Sequence, residues 1–230
     1  MKSQASSTEQ ITDSTDQAES LSRRRFFHLA GGIAGAGALL SAGSANAMSS
    51  GGSLGTGDTA LLNIVLIIQQ IEAEFYARAA ASGALSEREK IAVSGIKDQE
   101  ASHLTSVKKM LGFGSAVSVV TNLYAIDFNN RESVLLHASI IEDIAVACVN
   151  GITPLLAGTA HQTALGKLAL ADAGHSTFVS NSRNPNTFGN LAIDENGLGH
   201  SHSPSAVLEQ AEAYLYNRFD KSTLPNQNKI

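Results

Sequence analysis

Four stretches of this chain repeat apolar residues every three or four positions, and each interrupts its stripe near the middle with acid, amide or imidazole groups. The first, 59–81, aligns Leu62, Val65, Gln69, Glu72, Tyr76 and Ala79. The second, starting at Ser86 and running to Leu111, aligns Val93, Ile96, Glu100, His103, Val107 and Met110. The third, 131–156, aligns Leu135, Ala138, Glu142, Ala145, Val149 and Ile152, and the fourth, 159–179, aligns His161, Leu165, Leu168, Asp172, His175 and Val179. Such spacing puts each set on one face of an α-helix. Punctuation agrees: Gly83 ends the first stretch, Ser86 and Glu89 form a capping box for the second, Gly112 stops it, and Pro154 and Gly158 mark a turn after the third.

Four long helices with little strand signal predict an all-α four-helix bundle. About four residues join the first two helices, and a tight turn joins the last two, so each pair is antiparallel. The 18 residues at 113–130 join the second helix to the third. Extended, such a link spans ~60 Å, and a helix of this length is ~38 Å long. One long crossover between helices two and three therefore fits, as does a compact loop. Residues 181–203 read as a loop rich in Asn, Pro, Gly and His; a short C-terminal helix capped by Ser203 or Ser205 should reach about Phe219, and 220–230 read as a polar tail.

Residues 1–47 read as an address. Ser22-Arg23-Arg24-Arg25-Phe26-Phe27 precedes a weakly apolar Gly/Ala/Leu run that ends at Ala45-Asn46-Ala47, a small-x-small cleavage site. The run is shorter than the ~20 apolar residues a membrane helix needs. The segment resembles a twin-arginine (Tat) signal peptide, which implies export in the folded state to the periplasm or beyond. The Tat translocase is then a transient partner, and no stable membrane insertion follows cleavage. Residues 48–58, rich in Gly, Ser and Thr, read as a flexible linker, and 59–219 as the folded domain.

Composition narrows the function. A net charge of -5 lacks the basic face of a nucleic-acid binder, so no nucleic-acid partner is expected. One cysteine excludes an intrachain disulfide and a Cys-rich zinc module. What remains is the polar content of the apolar stripes. Glu100-x-x-His103 and Asp172-x-x-His175 each place an acid and an imidazole on one helix face, with Glu142 on the third helix and Gln69 and Glu72 on the first. Burying four carboxylates uncompensated is severely unfavourable. Two divalent cations would neutralise them, and one carboxylate from each of two helices plus acid-x-x-His from the other two is a di-iron or di-manganese pattern.

The run Ile71-Glu72-Ala73-Glu74-Phe75-Tyr76, then Gln99-Glu100-x-x-His103, Glu142, Asp172-x-x-His175 and Ser203-Pro204 with Val207-Leu208 resembles, in order and spacing, the bacterial ferritin-like proteins that include plant desiccation-related proteins. That resemblance implies a ferritin-like bundle holding two iron or manganese ions, and chemistry on O₂, peroxide or ferrous iron. Two positions depart from it. Gln69 stands where the family places its first metal-binding Glu, and Asp172 replaces a Glu. Glu72, one turn along, could substitute for Gln69. Two, one or no bound ions per chain therefore stay open, as does a homodimer; a storage cage fits poorly with the long loop and the C-terminal extension. The rival function is a non-enzymatic, stress-protective or structural bundle with a degenerate site.

Other polar residues read as structural. Tyr76 is expected to pack, His137 to lie off the metal stripe, His161 to be structural or exposed, and His200 and His202 to be solvated. Cys148 reads as a small buried hydrophobe, and Glu74, Arg88 and Lys90 as solvated surface.

Overall fold

Helix α1 (Gly57–Ala81) and helix α3 (Arg131–Ile152) are apolar almost all round. The most apolar stretch of each is long enough to cross a membrane, yet 78% and 83% of those stretches are buried inside the fold. A helix apolar on every side must be covered on every side. Helices α2 (Glu87–Leu111) and α4 (Thr159–Arg183) are one-sided by contrast, and α2 buries little beyond Val93, Ile96, Glu100 and Val107. They pack on α1 and α3 respectively. The opposite side of α1 and α3 is closed by the crossover and by a C-terminal segment containing helix α5 (Pro204–Ala211) and a 3-10 turn at Glu212–Tyr214. There Ala211 and Tyr214 meet Ile68 and Ile71 of α1 and Ile141 and Ile144 of α3. This computed structural model describes residues 52–112, 114–186 and 193–225; the segment read as a signal peptide lies outside them.

Hydrogen bonds between element ends set the topology. Ser115 and Val117 pair with Asn63 early in α1, Val117 and Val119 with Gln70 midway, and the Phe128 carbonyl accepts from Ser82 at its end. The crossover therefore runs the length of α1, as the chain length allowed. Arg131, opening α3, reaches Glu89 at the start of α2 and the Ser182 carbonyl near the end of α4 (2.7 Å). At the other end, Asp58 of α1 accepts from the Ala157 and Gly158 amides ahead of α4 at 2.9 and 3.1 Å. Helices α1 and α4 run one way and α2 and α3 the other: an all-α, ferritin-like bundle with one long crossover between helices two and three and a short C-terminal helix.

Local chemistry explains the boundaries. The Ser86–Glu89 capping box forms, with Ser86 N donating to Glu89 Oε2 at 2.9 Å. Gly112 ends α2 at φ +73°, where a Cβ would be strained. Asn130 caps α3, and Ser203 caps α5 with Pro204 behind it.

Four expectations change. Residues 52–58 are not a flexible linker: Gly52 N donates to the Arg218 carbonyl at 3.0 Å, Leu54 is 1% exposed, and α1 begins at Gly57. Helix α4 continues one turn beyond 179, to Arg183. The C-terminal helix does not reach Phe219, because the backbone from Tyr214 onward is taken by the crossover: Asn122 N donates to the Tyr214 carbonyl at 2.7 Å and Tyr216 N to the Val120 carbonyl at 3.0 Å. Beyond it, Leu224 of the expected polar tail is buried.

The approach to α5 needs a glycine. His202 N donates to the Ala147 carbonyl at 3.0 Å, and a Cβ on Gly151 would lie 1.9 Å from the His202 carbonyl oxygen. Gly151→Ala must push the segment off α3, and overpacking of this kind costs about 1–3 kcal/mol. The expected result is a lower melting temperature with faster proteolysis around 199–203; unchanged values would refute the close contact.

Burial alone would raise the Glu89 carboxyl, but hydrogen bonds from Arg131 and Ser86 hold it at about 2. A lowered carboxylate stabilises the fold above its unfolded value of 4.5 and loses that contribution as pH falls toward about 2. The melting-temperature gap between wild type and Glu89→Gln should be open near neutrality and close across that window. A gap that ignores pH would contradict the pairing.

Candidate metal centre

The middle turns of the four helices converge. Gln69 and Glu72 of α1, Glu100 of α2, Glu142 of α3 and Asp172 of α4 are all 0% exposed, and His175 is 6% exposed. His103 is half-buried, with its side chain 17% exposed.

Two sets of possible metal donors form, and Glu100 belongs to both. Glu100, His103 and Asp172 offer one atom each within 4.8 Å of one another, and so do Glu100, Glu142 and His175. Glu100 turns one oxygen to each imidazole: Oε2 lies 3.2 Å from His103 Nδ1, and Oε1 lies 2.8 Å from His175 Nδ1. Asp172 Oδ1 is 3.4 Å from His103 Nδ1, and Glu142 Oε1 is 3.7 Å from His175 Nδ1. The rings stack with centroids 6.1 Å apart. Both imidazoles thus present Nδ1 to the acids: His103 to Glu100 three residues before it on the same helix and to Asp172 across the bundle, His175 to Glu100 and Glu142 on two other helices.

Neighbouring groups occupy some donors and leave others free. Tyr76 OH donates to Glu142 Oε1, and Gln69 Nε2 donates to Glu72 Oε2. His175 Nε2 lies 3.0 Å from Gln99 Oε1. Yet Gln69 Oε1, Glu72 Oε1, Glu100 Oε1, Glu142 Oε2, both Asp172 oxygens and His175 Nδ1 are buried without a hydrogen bond. Buried polar atoms are ordinarily paired, and unpaired ones are costly. Their concentration here, on carboxylate and imidazole groups facing one another, fits a metal site.

Electrostatics agrees. Burial, then the charges of Glu100, Asp172 and Glu142, pushes the Glu72 carboxyl well above the carboxylate range. Burial does the same to Glu142 with Glu100 and Asp172 beside it, and it raises Asp172. Burial also opposes ionisation of Glu100 and His103. The hydrogen bond to His103 and the nearness of the His175 ring nevertheless hold the Glu100 carboxyl low, and Asp172 and Glu100 lift His103 to about 10. Without an ion, the cluster balances its charge with protons, which a divalent cation would displace.

All the residues expected at the site reach this cluster, in unequal parts. Asp172 joins the His103 set and not the His175 set, in keeping with its shorter side chain. Gln69 is a donor to Glu72, and Glu72 keeps one free oxygen. His137 stays off the stripe: it is buried beside Tyr214 OH at 3.2 Å, and burial lowers it to about 4. His161 sits 3.8 Å from Asp58. His200 is exposed, whereas His202 is half-buried where its backbone docks on α3. Cys148 is fully buried, and burial raises its thiol. Glu74 pairs with Arg78 at the surface.

Two residues play more part than their sequence suggests. Tyr76 packs edge-to-face on Phe75 at 5.1 Å, as expected, but its hydroxyl reaches across to α3. Gln99 lies outside the buried stripe, and only its place before Glu100 marks it.

The family model described as "Ferritin-like domain" matches residues 57–185, more than half of the chain. No curated protein matches the chain. The family match opens at the first residue of α1 and closes two residues after α4, so it takes in the four helices that carry the cluster and omits the C-terminal segment. The chain belongs to the ferritin-like domain family.

Proposed function

We propose that this protein is exported and holds a dinuclear iron or manganese carboxylate centre acting on O₂, peroxide or ferrous iron. The observation that carries the reading is the pair of three-residue donor sets sharing Glu100. Glu100 would serve both metal positions, with Asp172 and His103 at one and Glu142 and His175 at the other. Glu72 would add its free oxygen, oriented by Gln69. Bound iron or manganese would supply redox chemistry towards O₂ or peroxide. The chain's own part is to position and to exclude water. Tyr76 holds Glu142 Oε1 and leaves Oε2 free, and the bundle seals the acids from solvent while His103 stays part-exposed. The desiccation-related resemblance favours a non-enzymatic, stress-protective role instead.

A second reading is a stress-protective or structural bundle with a degenerate site. It draws on Gln69, whose amide is neutral and already engaged with Glu72.

Elemental analysis of the mature protein, taken from its own envelope without added metal, separates the two. About two iron or manganese per chain, lost in Glu100→Ala and His103→Ala, is the expected outcome. A folded protein with no metal, and a melting temperature indifferent to chelator, would establish the second reading.

Export rests on the Arg23-Arg24 pair, its flanking Ser22 and Phe26, and the Ala45-Asn46-Ala47 cleavage site. Changing Arg23 and Arg24 together to Lys should leave uncleaved precursor in the cytoplasm. Undiminished export would defeat this part of the reading.

A further inference from the structure

The two halves of the centre are related but not equal. Helices α2 and α4 each carry acid-x-x-His, and each imidazole turns Nδ1 inward. The residue before the acid differs. On α2 it is Gln99, whose Oε1 lies 3.0 Å from Nε2 of His175 on the opposite helix. On α4 it is Ala171, which has no polar atom to offer His103. Among the described residues His103 meets its partners through Nδ1 alone. It is also the member of the cluster that reaches solvent, at 17% exposure against 7% for the His175 side chain.

An amide oxygen only accepts, so Gln99 keeps the hydrogen of His175 on Nε2. In the neutral ring Nδ1 then carries the lone pair, and that atom is buried, without a hydrogen bond, and faces Glu100 and Glu142. Outer partners of this type fix the tautomer and the ring orientation of a metal-binding imidazole. We infer that Gln99 is a positioning residue that makes the two metal positions unequal, with the His175 side preorganised and tighter and the His103 side weaker and in exchange with solvent. The inference rests on the dinuclear reading proposed above.

Co²⁺ titration of metal-free mature protein, followed by visible absorption, tests it. Wild type should take up two equivalents with distinct affinities. Gln99→Ala should weaken the tighter one by about 10–100-fold and leave the weaker one in place. Gln99→Glu, which keeps an acceptor, should restore it. Gln99 is exposed, so the metal-free variants should melt with wild type; a purely structural role would instead lower the melting temperature of Gln99→Ala without separating the two steps. Identical titrations of wild type and Gln99→Ala, or equal weakening of both steps, would overturn the inference while leaving the dinuclear centre standing. A wild type that binds no Co²⁺ would overturn the dinuclear reading, and this inference with it.

Discussion

Placing four carboxylates at the centre of an apolar bundle is the constraint around which this protein is arranged. Each such group resists burial in its charged form, and neighbours of like charge compound the penalty. Glu72, Glu142 and Asp172 all register it as raised carboxyls, while Glu100 escapes by lying between two imidazoles. The surrounding structure has to offset that strain. Helices α1 and α3 do so by being apolar on both sides, so that they bury the centre on one face and a second hydrophobic layer on the other.

That second layer explains the parts of the chain outside the four helices. The crossover covers α1 with an extended segment whose backbone is satisfied by Asn63 and Gln70, two polar side chains of that helix. The C-terminal segment covers the α1–α3 groove with α5 and Tyr214. The family match stops before this segment, which closes a face that the bundle alone would leave open to water.

Local chemistry was legible in the sequence, and long-range pairing was not. The start and stop of α2 were readable because Ser86, Glu89 and Gly112 act on their immediate neighbours. The stripe of site residues was readable because helical periodicity is itself local. The packing of Leu54 and the early end of α5 were hidden, since both depend on backbone contacts between segments about a hundred or more residues apart. Within the centre, the reach of Tyr76 and Gln99 was hidden for the same reason: each sits on one helix and acts on another. Glu72 was read as a substitute for Gln69, and nothing in their spacing said that the amide would serve the acid.

Helix α4 carries Asp172 and His175 near its middle, and it is fastened at both ends: Asp58 holds the turn before it, and Arg131 holds the Ser182 carbonyl in its final turn. A beam pinned at both ends can bow but cannot swing. Its central groups therefore keep their lateral position while the ends stay tied, and ions passing in or out would depend on rotation of side chains at the seam with α2 rather than on parting of the helices.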